Sequence, residues 1–383
     1  MKYEIVTHFP NDMIFKESGP LVSIYQPTHR RSSENKQDPI VFKNLLRKIE
    51  ASLAQEASGD SSEALLKPLY ELRDDSDFWM HAHDGIAVFA SKNRCVVYLL
   101  QTQVKEYAVV AERFHIKPLI RAFQFPGNYQ LLGLSRENFC VYQGNRYGLE
   151  EVLIPPETPR TMKEVLGSEL SAPYLSHGSY GGARGTTMYH GHGDVKAEID
   201  KDTEKFFRYV DAFVFDNYSK KSKLPLILVA LKEYHTDFRK ISNNSFLFEK
   251  GIHKAVDAMD SDELLDRARA IIEAIHADRV SKTATSYAKA EAEGMGSADR
   301  VRVVRAAFEG RVETLLIEAD RVVPGKIDFE TGKMQTGDMD HPQFDDILDD
   351  LAELVLSGNG TVLVLDKEAM PSDTGIAAIY RYK

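Results

Sequence analysis

HGSYGGARGTTMYHGHGDVKAEIDKDTEKFFRYVDAFV, residues 177–214, is the stretch on which the reading of this chain turns. Its first half carries glycines at 178, 181, 182, 185, 191 and 193. Each adds backbone entropy that folding must overcome, so no helix or stiff strand is expected there. Its second half sets Phe206, Phe207, Val210, Phe213 and Val214 on one face at helical spacing. LPLILVAL, 224–231, is a continuous apolar run of the kind that forms a strand buried on both faces. Upstream, YQLLGLSRENFCVYQGNRYGLEEVLIP, 129–155, reads as apolar strands with a hairpin at Gln143-Gly144-Asn145. Strand, hairpin, loop (176–196), helix and buried strand predict an α/β domain over 126–258, after a break near Phe125-Pro126-Gly127-Asn128.

The flanks predict two more α/β domains, 1–125 and 259–383. In the first, GPLVSIYQPTHR gives a strand through Leu21, Val22, Ile24 and Tyr25 that Pro27 stops. DPIVFKNLLRKIEASLAQEA gives a helix with Asp38 at the N-cap and Pro39 at the first helical position. GIAVFASKNRCVVYLL gives a strand pair about Lys92-Asn93, and Trp79 reads as structural. In the last, helices are predicted in 262–280 and 298–312, the second closed by Gly310. Strands VETLLIEA, GTVLVLD and GIAAIYRY follow, with the helix HPQFDDILDDLAELVLSG between the first two, making an α/β/α sandwich.

Composition bounds the function. Hydrophobic residues make up 43% of the 383, which suits a globular protein of several domains. MKYEIVTHFP lacks a signal-peptide pattern, and no apolar run approaches the roughly 18 residues of a membrane span, so a cytoplasmic location is expected. Cys95 and Cys140 are too few for a disulfide framework or a thiolate zinc site. The net charge of −10 disfavours indiscriminate nucleic-acid binding, but it is unevenly spread. Residues 1–125 hold 16 basic and 16 acidic side chains, residues 126–255 hold 17 and 16, and residues 256–383 hold 15 and 26. The acidic last third suggests a solvated face or a docking surface for a basic protein partner, leaving the neutral remainder free to approach RNA.

Three chemistries compete for the glycine-rich loop. A phosphate-binding loop needs G-x-x-x-x-G-K-[ST] or G-x-G-x-x-G, and neither spacing occurs between Gly178 and Gly185. His190, His192 and Asp194 form H-x-H-x-D, which is similar to the opening of the metallo-β-lactamase motif and could converge on zinc in a hydrolase. That family continues with a histidine where Val195 stands, and His81-Ala82-His83-Asp84 repeats the pair without further ligands. No metal and no cofactor is therefore expected. The third reading is a mobile finger, with Arg184 and few acids, able to thread an anionic space such as an RNA interior. Lys220, Lys221 and Lys223 ahead of the buried strand are candidate phosphate contacts, and Arg30-Arg31 reads as a solvated pair that could touch RNA.

Residues 177–214 resemble the central domain of the archaeo-eukaryotic class I peptide-chain release factors, where an H-G-x-G-G-Q loop precedes a basic and aromatic helix. GPLVSIYQPTHR is similar to the strand that opens their N-terminal domain. EGRVETLLIEAD and MPSDTGIAAIYRY are similar to strands of their third domain, shared with Pelota. The three segments match in order, and within this superfamily the chain most resembles the bacterial branch. The resemblance implies a ribonuclease-H-like central domain and a third domain folded like kink-turn-binding ribosomal proteins. It also implies a ribosome-directed role and contact with rRNA or tRNA through His177, Arg184, Lys196 and the three lysines. A translational GTPase would be the partner of the third domain. Gly181 and Gly182 match the two glycines of the loop tripeptide, and Ala183 stands where its glutamine should be. Alanine keeps the backbone N–H, which could stabilise an oxyanion in peptidyl-tRNA hydrolysis, and lacks the amide that positions water. No Asn-Ile-Lys-Ser element for stop codons occurs in 1–125. The expectation is ribosome rescue, dormancy or antagonism, with hydrolysis through the loop backbone as the alternative.

Overall fold

The computed structural model of the chain describes residues 2–17, 19–30, 34–55, 59–124, 127–145, 148–170, 192–337 and 345–383. The fold is mixed α/β, with four sheets among the described residues. It divides into two compact units, one made of Met1–Phe125 and Asp278–Lys383, the other of Pro126–Ala277. None of the described helices is long and apolar enough to cross a membrane.

The first segment contributes β1 (Glu4–Val6), α1 (Met13–Lys16), β2 (Leu21–Pro27), α2 (Asp38–Gln55), α3 (Gly59–Asp74), α4 (Ser76–Met80), β3 (Gly85–Ala90), β4 (Cys95–Leu100), β5 (Tyr107–Ala111) and α5 (Lys117–Phe123). Its sheet runs β1-β4-β3-β2-β5, antiparallel except for the β1–β4 pair. Alternation along β2 and β3 divides two cores. Val22, Ile24, Ile86 and Val88 pack with Phe42 and Leu69 of α2 and α3, whereas Tyr25 and Phe89 join a cluster with Ile116 and Leu119. Trp79 is buried, its Nε1 donating to the carbonyls of Leu72 and Arg73. Asp38 opens α2, but its buried carboxylate does not cap that helix. It accepts the backbone N–H of His29 and faces His29 Nδ1 at 2.8 Å, fixing the turn out of β2.

The second unit contains β6 (Tyr129–Leu134), β7 (Phe139–Gly144), β8 (Leu149–Glu151), α6 (Met162–Leu166), α7 (His192–Val214), α8 (Lys220–Ser222), β9 (Leu226–Val229) and α9 (Lys232–Ile241). The sheet order is β8-β7-β6-β9, with β9 parallel to β6. Every residue of β9 is fully buried. Leu226 and Leu228 face Phe206, Phe207, Val210 and Val214, and Ile227 and Val229 face Leu264, Ala268 and Ile272 of α10 (Ser261–Ala292). The boundary between the units falls inside α10, a helix of 32 residues that outruns the stretch its periodicity predicts.

The last segment adds β10 (Gly296–Ser297), α11 (Arg300–Phe308), β11 (Val312–Glu318), β12 (Pro324–Asp328), β13 (Lys333–Thr336), β14 (Asp345–Asp346), α12 (Ile347–Ser357), β15 (Thr361–Leu365) and β16 (Ile376–Tyr380). The main sheet is β10-β16-β11-β15, and a small sheet β13-β12-β14, not expected from the sequence, sits beside it. Gly310 has φ +68°, the left-handed geometry that closes α11, and the next amide returns to the Ala306 carbonyl at 2.8 Å. α12 starts at Ile347, later than the run from His341 suggests, because Asp346 caps it through the Leu348 amide. The Gln124 side chain bonds both the amide and the carbonyl of Val364, at 2.7 and 2.9 Å, and so blunts the open edge of β15. One core cluster takes Tyr25, Phe89 and Ile116 from the first segment and Leu315, Ile347 and Leu351 from the last.

Candidate functional site

The expected loop is known here by its supports. His177, Gly181, Gly182, Ala183, Arg184 and His190 lie outside the described residues, as do residues 171–191 as a whole. His192, Asp194 and Lys196 fall in the first turns of α7, where only the backbone is described. The chain enters this region from α6, a helix opened by a complete capping box. The Thr161 hydroxyl accepts the Glu164 amide at 3.2 Å and the Glu164 carboxylate accepts the Thr161 amide at 3.0 Å. It leaves through α7, whose Phe206, Phe207, Val210 and Val214 are fully buried. Tyr209 Oη donates to the Pro159 carbonyl at 3.0 Å, tying α7 to the approach of α6. Both flanking helices are therefore anchored, α6 through Met162 and Leu166 and α7 from Phe206 onward.

α7 runs on into one π-helical turn, Phe215–Ser219, and then into α8. Such turns occur often where a helix must present side chains off its regular register. Beneath it, polar groups are buried and satisfied: Asn244 Nδ2 donates to Ser219 Oγ at 2.9 Å, and Asp211 accepts Ser242 Oγ at 2.5 Å and the Asn243 amide at 2.9 Å. Ser222 Oγ donates to Gln130 Oε1 at 3.2 Å, linking α8 to β6. Above it Lys220, Lys221 and Lys223 are all exposed, with Lys223 in the left-handed region at φ +55°. Two cations along α7 are already engaged, Lys205 with Glu169 at 3.1 Å and Arg208 with Glu204 at 2.7 Å. The three lysines have no carboxylate partner among the described residues. They are a fixed, unneutralised positive group on the unit that carries the loop, which is what contact with phosphates requires.

The other sequence candidates separate. Arg30 is held by Asp84 at 2.9 Å, and Arg31 lies outside the described residues. His81 turns its Nδ1 to the Asp77 carbonyl, and His83 is half-buried with Nδ1 unpartnered. No group of three His, Cys, Asp or Glu side chains able to hold a metal occurs among the described residues.

The acidic third of the chain gives the largest surprise. Asp346, Asp349, Asp350 and Glu353 of α12 and its cap are buried, and the Asp345 side chain is only 15% exposed. They face Arg113, His115 and Lys117 of the first segment. Lys117 Nζ is paired with Asp346, and Arg113 with Glu353. Asp349 accepts the amides of Ile116 and Lys117 at 2.9 and 2.6 Å. Residues 278–383 hold 20 acidic and 13 basic side chains, an excess of seven. Those five carboxyls account for most of it, leaving the surface of this segment close to neutral. Sequence reasoning missed the cluster because its partners lie more than two hundred residues upstream.

Residues 128–311, from β6 through α11, match the model of the bacterial archaeo-eukaryotic release factor family 3. This span takes in the loop, α7 and the three lysines. Over this span the chain is similar to that release factor family. Among solved structures, it is similar to the archaeal translation termination factor aRF1, at 15% identity over 97% of this chain and 95% of that one, with a TM-score of 0.25. It is also similar to ribosome-bound archaeal Pelota, at 16% identity over 73% of each chain and a TM-score of 0.35. Saccharomyces cerevisiae Dom34, a translation termination-like factor, matches at 14% identity over 76% and 73%, with a TM-score of 0.41. No curated protein matches the chain.

Proposed function

We propose that this protein is a ribosome-associated factor that acts in rescue, dormancy or antagonism of ribosomes rather than in stop-codon termination. Two observations carry the reading: the release-factor family match spans residues 128–311, and in the sequence Ala183 follows Gly181 and Gly182 where the resemblance calls for a glutamine. The glycines give reach into a crowded RNA space, and the missing amide removes the group that orients water. Residues 126–258 carry the ribosome-facing elements in this reading. His177, Arg184 and Lys196 contact rRNA or tRNA at the loop, and Lys220, Lys221 and Lys223, beyond the opposite end of α7, contact rRNA phosphates. Residues 259–383 supply a protein contact. Dom34 is described as interacting with Hbs1 and archaeal Pelota as ribosome-bound with ABCE1, which favours a translational GTPase or a comparable partner for this chain. With the α12 acids inside, the exposed acids Asp260, Asp262, Asp266 and Glu273 are the best surface for it.

Co-sedimentation tests the reading. The protein is expected in ribosome fractions during growth or stress, and its absence from both sinks the proposal. Retention of both glycines favours one second reading, peptidyl-tRNA hydrolysis through the Ala183 amide. Labelled peptide should then be released from programmed ribosomes by the wild type and much more slowly by Gly182→Ala. Equal release by the two proteins removes the loop from catalysis.

A further inference from the structure

Five carboxyl groups, those of Asp345, Asp346, Asp349, Asp350 and Glu353, meet two permanent cations, Arg113 and Lys117, where α12 packs on α5. Full ionisation would leave three negative charges without compensation in a site that is almost wholly out of water, which is strongly unfavourable. The remaining neighbours do not supply the difference. His115 is buried, with Nδ1 lacking a hydrogen-bond partner although Asp349 Oδ1 is 3.4 Å away. Tyr25 on β2 donates to the His115 carbonyl, and Tyr107 on β5 reaches Asp345 at 3.5 Å. Arg321 offers only its carbonyl, to Lys117, and directs its guanidinium to Glu318; Lys326 on β12 lies 3.8 Å from Glu112. Asp320, beyond Lys117, is taken by Lys105. Asp350 accepts a single amide, from Ile327 at 2.8 Å, and Glu353 Oε2 is buried without a partner.

We propose that the contact of α5 with α12 is a proton-dependent latch, closed while the surplus carboxyls are neutral and loosened as they ionise. Burial pushes Asp345 up to about 6, Glu353 to about 7 and Asp350 well above the usual carboxylate range. Burial also takes Asp349 to about 7, against the pull of the Ile116 and Lys117 amides. Raised carboxyl pKa values mean that the closed state holds more protons than the open one. The stability they contribute is complete below about pH 4 and is lost as pH rises through about 6 to 7. His115 acts oppositely: burial lowers its pKa, so it weakens the closed state as pH falls below its ordinary value near 6.5. Between about pH 6.5 and 8 the carboxyls dominate, and the latch opens on the alkaline side.

Hydrogen exchange on the intact chain reads this directly. After correction for intrinsic rates, protection of the Leu119–Phe123 amides should fall at least about tenfold from pH 6 to pH 8, one pKa unit being a factor of ten. Protection of β6 and β9, in the other unit, serves as reference. Glu353→Gln removes one titrating group and should flatten that fall by about tenfold. Should the variant not fold, infrared spectroscopy of the wild type decides, since protonated carboxyls should show a C=O band at pH 6 that fades by pH 8. Protection that is indifferent to pH in the wild type, an unchanged fall in the variant, or no such band at pH 6 overturns the proposal.

Discussion

Ile116 stands at the N-cap position of α5 with no side-chain oxygen to offer, and Asp349 supplies one from 233 residues along the chain. A carboxylate at a helix N-terminus satisfies free amides and meets the positive end of the helix dipole. Lys117, in the same turn, donates to Asp346 and to the Arg321 carbonyl while almost wholly buried. Replacing Asp346 by Asn would strand that ammonium without its counter-charge. Thermal or denaturant unfolding should show a loss of about 3–5 kcal/mol, the usual result of breaking a buried pair from one side. Asp350→Asn should change stability by less than about 1 kcal/mol, because burial already disfavours a charge on this side chain and the amide oxygen keeps the Ile327 contact. Replacing the exposed Lys220, Lys221 and Lys223 together by Ala should leave unfolding within about 0.5 kcal/mol of wild type. Ribosome association should weaken, with a shallower dependence on salt because fewer phosphates are neutralised. Unchanged co-sedimentation across a salt series would remove the lysines from the interface.

At the scale of elements, α7 and β9 were legible from residue pattern alone. Phe206, Phe207, Val210 and Val214 recur at helical spacing and are all fully buried, and the unbroken run Leu226–Val229 faces a core on each side. Phe207→Ala should cost about 3–5 kcal/mol and, if α7 anchors the loop, should abolish ribosome binding as well. Thr161→Ala should cost about 1 kcal/mol by undoing the capping box, a loss that urea unfolding can resolve. α12 was legible as a helix and illegible as a site. Its acids at 349, 350 and 353 read as a solvated face because nothing local marks them as buried, and their partners at 113, 115 and 117 carry no periodic signal. The small sheet β13-β12-β14 escaped for a related reason: its strands are short, and β13 is mostly exposed, so no apolar alternation announces it. Gly181, Gly182 and Ala183 carry no packing signal and are marked only by their place in the resembling segment 177–214.

At the scale of the whole molecule, the first 124 residues and the last hundred share one core, with Tyr25, Phe89 and Ile116 packed in a cluster with Leu315, Ile347 and Leu351. Residues 1–124 produced alone should therefore lack cooperative unfolding, a result that calorimetry would show as a broad or absent transition. Supplying residues 278–383 in trans should restore some of it. A sharp transition for the isolated segment would mean that its own sheet and the helices α2 and α3 suffice. The cap that Asp349 gives to α5 also sets a timetable for synthesis. At 5–20 residues per second, the 233 residues between Ile116 and Asp349 take roughly 10–50 s to emerge, and for that time the N-terminal part of the core has no cover. A factor proposed to attend ribosomes would thus itself be a demanding nascent chain, dependent on chaperones until its last hundred residues are made.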